Sequence, residues 1–378
     1  MFADLDPRPS AGRLRGIPTT SMAIVVFVLL LVTAACATAA VGPPATAVPS
    51  APQVRQLVGA NGADSSPTLR LADLTFLTGG EGWALATEPC DRPPCTVVAR
   101  TQDGGRTWHR IAAPGAYLWE EDSCATKQRR LSPCVENLRF ASPQVGYAFG
   151  PELFTTRNGG QSWRQEGGPT TLALATAGGH VIRVIQGAGV DVDQVQRQAI
   201  ETPGAWQTLP LEVAGGMGPL LTDGATIFLV PNVAVGQAIY RSLDGGDTWA
   251  RLPSPCDAGG TNIADAAMTP GGHLAVLCFS YPATAYVKTS ADNGATFGVD
   301  HAVPLPSPYA NIQHIAAASA DVLAVSDDAD NIQVSMDGGS TWHLVLRADA
   351  SGGSQRQVAL TYQDARTAHV IQPPKDLR

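Results

Sequence analysis

Along most of this chain, short apolar-rich runs alternate with clusters of Gly, Pro, Asp and Asn, a pattern that predicts short strands joined by tight turns. Leu71 to Phe76, Gly82 to Ala86, Thr96 to Thr101 and Trp108 to Ala112 form one set of four such runs. A second set opens with Leu138-Arg139-Phe140 and Gly146-Tyr147-Ala148-Phe149. In both sets an aromatic stands six positions before a Gly that precedes a second aromatic: Phe76 with Gly82-Trp83, and Phe140 with Gly146-Tyr147.

Between the third and fourth runs stands a recurring octad. Ser335 to Trp342 reads Ser-Met-Asp-Gly-Gly-Ser-Thr-Trp, Thr101 to Trp108 reads Thr-Gln-Asp-Gly-Gly-Arg-Thr-Trp, and Ser242 to Trp249 reads Ser-Leu-Asp-Gly-Gly-Asp-Thr-Trp. Thr156 to Trp163 keeps the frame with Asn158 for the Asp, and Ser290 to Phe297 keeps it with Asp292, Asn293 and Phe297. Asp-Gly-Gly is turn chemistry: the carboxylate accepts backbone N–H groups ahead of it and Gly supplies positive φ. Each octad is therefore expected to be the hinge of a β-hairpin, with Asp103, Asn158, Asp244, Asp292 and Asp337 in the turn and Trp108, Trp163, Trp249, Phe297 and Trp342 pinned beside it. That use leaves these ten residues a structural role.

The positions 103, 158, 244, 292 and 337 are separated by 55, 86, 48 and 45 residues. The long step is close to two short ones and predicts an eroded copy near residue 201, where Glu201-Thr202-Pro203-Gly204-Ala205-Trp206 keeps an acid and a Trp at the octad offset. Repeats of this length suit the four-stranded blade of a β-propeller. The octads resemble the Asp-box, or BNR, repeat of sialidase-like propellers, and the paired aromatic–Gly spacing resembles the photosystem assembly factor and sortilin-type branch more than the sialidases. The expectation is an all-β chain, a single propeller over residues 69–378 with seven blades, or six as the alternative. A strand at Gln53 to Val58 is expected to complete a last half-blade built from Gln357 to Thr361 and Thr367 to Ile371, because an unclosed ring leaves sheet edges unpaired.

The chain has 378 residues, 39 Gly, 29 Pro and only 15% charged residues, which fits one repeat array better than two or three domains. Its net charge of -8 argues against nucleic acid as a partner. Residues 1–35 read as an export segment: Arg13 and Arg15 precede the apolar run Ala23 to Val32, and small residues follow. Val32-Thr33-Ala34-Ala35-Cys36 resembles the lipobox of bacterial lipoproteins, which would place a lipid on Cys36. Cleavage after Ala37-Thr38-Ala39 and retention of Met22 to Val41 as an anchor are the other two readings. All three put the body outside the cytoplasm, above an Ala/Pro-rich stalk over residues 36–68.

With Cys36 set aside, six cysteines fall into sequence-local pairs, Cys90/Cys95, Cys124/Cys134 and Cys256/Cys278, and in an exported chain read as disulfides. No His stands at ligand spacing from them, so no metal is expected there, and no cofactor motif is present. Asp191/Asp193 and Asp327/Asp328/Asp330 lack a calcium-loop frame and read as solvated loop charges.

In a four-stranded blade the loops alternate between two faces. The octads occupy one; the loops elaborated with disulfides, aromatics and charges belong to the other. The 55-residue step is accounted for by Pro114 to Cys134, which carries Tyr117, Trp119, Glu120, Glu121, Asp122, Lys127, Arg129 and Arg130. Tyr117, Trp119, Glu120, Glu121, Arg129, Arg130 and, on a further loop, Tyr281 are the ligand-contact candidates, since long stapled loops on a rigid scaffold are where binding sits. A sialidase-type hydrolase needs an arginine cluster, a Tyr–Glu nucleophile pair and an Asp acid. The Arg-Ile-Pro motif that the resemblance would place before the first octad is missing from Arg70 to Gly82; its nearest look-alike, Arg15-Gly16-Ile17-Pro18, lies in the export segment. Arginines outside the octads, such as Arg129, Arg183 and Arg356, could still converge. His109 and His343 follow octad Trp residues on outgoing strands and do not suit a general base. The expectation is a non-catalytic extracytoplasmic protein that binds a protein or glycan at the cell envelope. The rival is an exo-acting glycoside hydrolase, and a purely structural envelope scaffold is a third option.

Overall fold

A computed structural model describes residues 53–56, 360–364, 367–370 and most of 70–346, the exceptions being 78, 119–123, 125–132, 188–191, 215–216, 232–237, 257–260, 270, 281–283, 306–310 and 328–330. The export segment with Cys36, and the stalk apart from Gln53–Gln56, lie outside the described residues. No helix among the described residues is long and apolar enough to cross a membrane.

The first blade is built from Arg70–Phe76, Gly82–Thr87, Thr96–Thr101 and His109–Ile111, each antiparallel to the next. Five further four-stranded blades repeat this order over residues 137–166, 171–214, 217–253, 262–302 and 312–346. Each first strand lies against the first strand of the following blade. Leu360–Asp364 lies against both Ile312–Ala317 of blade six and Arg70–Phe76 of blade one, so seven first strands form a closed ring.

The closing sheet has three strands, Leu360–Asp364, Thr367–Val370 and Gln53–Gln56. Among the described residues there are six complete blades, the lower of the two expected counts, and a three-stranded seventh sheet. Gln53–Gln56 pairs with Thr367–Val370 in parallel. The direction follows from chain order. A strand that leads into the first strand of blade one must run as fourth strands do, and fourth strands run parallel to second strands. Among the described residues no third strand intervenes. The first strand of the half-blade is Leu360–Asp364, three residues beyond the expected Gln357 start.

Second and third strands such as Leu323–Asp327 and Leu153–Thr156 are buried, and fourth strands such as His109–Ile111 are exposed or half-buried, whereas in blade three the third strand is mostly half-buried and the fourth buries Leu209, Leu211 and Val213. The core lies between blades: Trp83, Leu85 and Val98 of blade one pack with Leu138, Phe140, Ala148 and Phe154 of blade two. Trp83 and Phe140 are stacked with centroids 3.8 Å apart and planes at 4°. The six-residue aromatic–Gly spacing has a steric cause. A Cβ on Gly82 would stand 2.4 Å from the Phe76 ring, and one on Gly146 would stand 2.6 Å from the Phe140 ring.

Each described octad joins a third strand to a fourth. In the first, Thr101 Oγ1 accepts from Gly105 N (2.9 Å) and donates to Asp103 Oδ1 (2.8 Å). Asp103 in turn accepts from Thr107 N (2.9 Å) and Thr107 Oγ1 (2.7 Å). The same bonds recur around Asp244, Asp292 and Asp337. Gly104, Gly245 and Gly338 also donate to carbonyls of the turn between first and second strands of their own blade, which fixes that face. The eroded segment 200–206 does join the third and fourth strands of blade three, and Trp206 packs beside Tyr147 and Val181.

Candidate functional site

The face opposite the octads carries the loops between second and third strands and those between blades, and all three disulfides are found there. Cys90–Cys95 closes the loop after Gly82–Thr87, Cys124–Cys134 lies in the loop joining blades one and two, and Cys256–Cys278 ties the loop after blade four to the second strand of blade five. The three bridges fit an extracytoplasmic protein.

Blade one's loop is held at its base. Glu88 N donates to Cys95 O (3.2 Å), Thr87 Oγ1 donates to the same carbonyl (3.2 Å), and the Glu88 carboxylate pairs with Arg110 on the fourth strand. The loop between blades one and two is sewn more firmly. Tyr117–Leu118 and Cys134–Val135 form a two-stranded parallel sheet, and Tyr117 N donates to Pro133 O (2.9 Å). Leu118 and Val135 belong to the blade-one/blade-two core, Ala116 and both cysteines are fully buried, and Cys134 N donates to Glu152 Oε2 (2.7 Å). Half-buried Tyr117 therefore stands at the root of this loop, next to the turn between the second and third strands of blade two. Trp119, Glu120, Glu121, Arg129, Arg130 and Tyr281 lie outside the described residues.

Blade four's outgoing loop is pinned in the same manner: Cys256 N donates to Ser254 Oγ (3.1 Å), and Thr261 Oγ1 bonds to Tyr286 Oη (2.7 Å) within the protein. Of the two acidic clusters, Asp327 turns inward. It is 2% exposed and accepts from Asn331 N and Nδ2, both at 2.9 Å, closing the base of its loop. Asp193 is buried as well. Among the described residues no group of three or more His, Cys, Asp and Glu side chains is placed to hold a metal.

Arg183 is occupied inside blade three. It is 3% exposed, its Nε and Nη2 donate to Gln196 Oε1 (3.0 and 2.8 Å), and its guanidinium lies 3.9 Å from the Trp206 ring centroid. Burial pulls its pKa down to about 10, with Glu166 acting in the opposite direction. Arg129 and Arg356 lie outside the described residues. On the ring of first strands, Arg139 is the one arginine whose side chain is described, and it is held by Asp73 Oδ2 at 2.6 Å. Among the described residues, no arginine trio facing a Tyr–Glu pair is assembled on these strands.

Sequence reasoning missed the charged latches on the inner strands. Asp73 stands directly after a bulge in Arg70–Phe76; its Oδ1 accepts from Leu74 N (2.8 Å) and its Oδ2 from Leu138 N of the next blade (2.8 Å). Asp265 repeats the arrangement with Ala266 N (2.8 Å) and Ile315 N (3.0 Å), and His314 Nδ1 lies 3.6 Å from its Oδ2. The signal was present as Leu71-Ala72-Asp73-Leu74 and Ile263-Ala264-Asp265-Ala266 at one register position.

No family model matches the sequence, and no curated protein matches it. Solved structures do match its fold. YCF48 bound to a D1 peptide aligns with a TM-score of 0.56 at 17% identity, covering 81% of this chain and 91% of that one. YCF48 from Cyanidioschyzon merolae aligns with a TM-score of 0.54 at 14% identity, covering 79% and 90%. A GH74 enzyme from Niastella koreensis aligns at a TM-score of only 0.32 with 12% identity, covering 77% of this chain and 67% of that one. What the chain shares with the first two is the β-propeller fold.

Proposed function

We propose that this chain is a non-catalytic binding propeller held outside the cytoplasm, and that it grips a protein partner with the loops opposite its octads. The carrying observation is the stitching of that face: three disulfides, a two-stranded sheet and buried hydrogen bonds fix the roots of the loops, the longest of which runs from Pro114 to Cys134. Rooting a loop so firmly lowers the ordering cost of binding through it. A fold-mate, YCF48, is known with a D1 peptide bound, which favours protein over glycan as the ligand class here. In this reading the octads serve as Asp-box turns, residues 1–35 direct export, Cys36 carries a lipid, residues 36–68 form a stalk and Trp119, Glu120, Glu121, Arg129, Arg130 and Tyr281 join Tyr117 in contacting the partner.

The test is a photo-crosslinking amino acid placed in the full-length protein at Trp119, and separately at Leu243, an octad-face residue 52% exposed. One discrete protein adduct from position 119 and none from position 243 is expected, with Trp119→Ala weakening capture at neighbouring positions. Equal labelling from both faces, or hydrolysis of aryl glycosides by the purified protein, would overturn the reading. Loss of metabolically incorporated fatty acid in Cys36→Ser checks the anchor.

A further inference from the structure

The three disulfides differ in how closely a thiol can approach them. Cys124, Cys134 and Cys278 are fully buried and Cys256 is 3% exposed, so a reagent meets those sulfurs only when the blades open. Cys90 is exposed, Cys95 is half-buried, and the four residues between them, Asp91, Arg92, Pro93 and Pro94, are all exposed. Thiol exchange requires a thiolate to reach one sulfur of the bridge, and access separates labile disulfides from inert ones.

Cys90–Cys95 also closes the smallest ring: its cysteines are 5 residues apart, against 10 and 22 for the other two pairs. A small ring restricts the unfolded chain least, so opening it costs the fold least. The loop has other bonds to hold its shape. Thr87 pairs with Thr96 in the sheet register, and Glu88 N and Thr87 Oγ1 both donate to Cys95 O, each at 3.2 Å. Pro93 and Pro94 fix two φ angles inside the ring. The two sulfurs, once parted, are therefore kept near one another, which is the condition for closing the bond again. The two ends of the bridge are unequal. Cys95 abuts the third strand, which begins at Thr96, whereas Cys90 stands out on the loop and is the sulfur an incoming thiolate meets.

We propose that Cys90–Cys95 is a reversible thiol-exchange site, with Cys90 as the sulfur that carries the adduct and an external thiol as the substrate. This goes beyond the partner binding proposed above and does not depend on what the stitched face grips. A thiolate attacks Cys90 Sγ; the new S–S bond forms as the Cys90–Cys95 bond breaks, and the bonding pair leaves on Cys95 Sγ, which takes a proton from water. A second thiolate then attacks the external sulfur of the adduct and releases Cys90 as a thiolate, which is protonated in turn. The loop gains two electrons and two protons, and the two external thiols become one disulfide. The thiol has two sources, a low-molecular-weight compound or a protein dithiol.

The test treats the oxidised full-length protein, without denaturant, with reduced glutathione or with a reduced protein carrying a Cys-x-x-Cys dithiol, followed by iodoacetamide and peptide mapping. Expected are glutathione on Cys90 and carbamidomethyl on Cys95, at a rate about tenfold or more above that of either buried bridge. A Cys-x-x-Ser form of the dithiol protein should be trapped on Cys90. Exchange about a hundredfold faster with the dithiol protein than with glutathione at equal thiol concentration assigns the site to protein dithiols, and comparable rates assign it to small thiols. Cys90→Ser combined with Cys95→Ser should keep native circular dichroism and both buried bridges while taking up no glutathione on this loop. Reduction of all three bridges at one rate, no reduction short of unfolding, an adduct on Cys95 in place of Cys90, or a double variant that fails to fold overturns the proposal.

Discussion

A carboxylate that accepts a backbone N–H and a hydroxyl at one turn is held in its charged form, and the octads repeat that device. Bonds from the Thr248 hydroxyl and backbone pull Asp244 down to about 2, those from Thr296 do the same to Asp292, and Asp103 and Asp337 are lowered by Thr107 and Thr341. Because the folded pKa lies below the unfolded value, this contribution is fully present above about pH 5 and is lost as pH falls from about 4 towards 2. Urea unfolding between pH 7 and 2.5 should show that acid limb, and Asp244→Asn with Asp292→Asn should flatten it. An acid limb equally steep in the double variant refutes the assignment. Asn158 already plays the neutral part in blade two, accepting from Ser162 N (3.0 Å) and donating to Ser162 Oγ (2.8 Å). Glycine is used with equal economy. In Gly146→Ala the added methyl would meet the Phe140 ring at 2.6 Å, so stability should drop by about 1–3 kcal/mol. Unaltered urea midpoints in that variant would mean the ring moves aside freely.

Between elements, the latches at the inner-strand bulges do what propensity cannot: one carboxylate satisfies an N–H of its own strand and one of the next blade. Asp265→Ala leaves Ile315 N without that acceptor and should cost about 1–3 kcal/mol in equilibrium unfolding, with faster hydrogen exchange at Ile315. If exchange at Ile315 is unchanged, the latch is ornamental. The contrast with the octads shows what the sequence makes legible. An octad is local, its bonds spanning four residues, so its text alone predicts turn, flanking strands and blade period. The spacing of Phe76 and Gly82 could likewise be seen, and the Cys pairs were read correctly because each bridge closes a short loop. The latches join residues of different blades, so recognising them needs the register. Arg183 illustrates the same limit: nothing in its neighbours announces that Gln196 and Trp206 will bury it. Among the ligand-contact candidates, Tyr117 could be placed on a loop from sequence. The parallel pairing of Tyr117–Leu118 with Cys134–Val135, which fixes that loop to the core, could not.

At the scale of the whole ring, every blade leans on two neighbours, and the ring closes where Gln53–Gln56 pairs with Thr367–Val370. Blade one is covered on one side by blade two and on the other by the three-stranded sheet, whose first strand touches Arg70–Phe76. That sheet depends on Gln53–Gln56, which binds residues far away in sequence, so the ring is closed by a non-local pairing with a high loop-closure cost. Replacing Gln53–Gln56 with Gly-Ser-Gly-Ser should leave the six complete blades folded and expose the edge of Thr367–Val370. Amide exchange should accelerate by about tenfold or more at Thr367–Val370 and Leu360–Asp364, while Val181–Val184 in blade three stays protected. Uniform acceleration through all blades would show instead that the ring opens as one cooperative unit, and unchanged exchange would show that the closing strand contributes nothing. The site follows from this closure. A ring held shut by the pairing of Gln53–Gln56 with Thr367–Val370 fixes the geometry of its blade ends, and the proposed binding surface needs such fixed ends for its disulfide-stitched loops to stay in constant register.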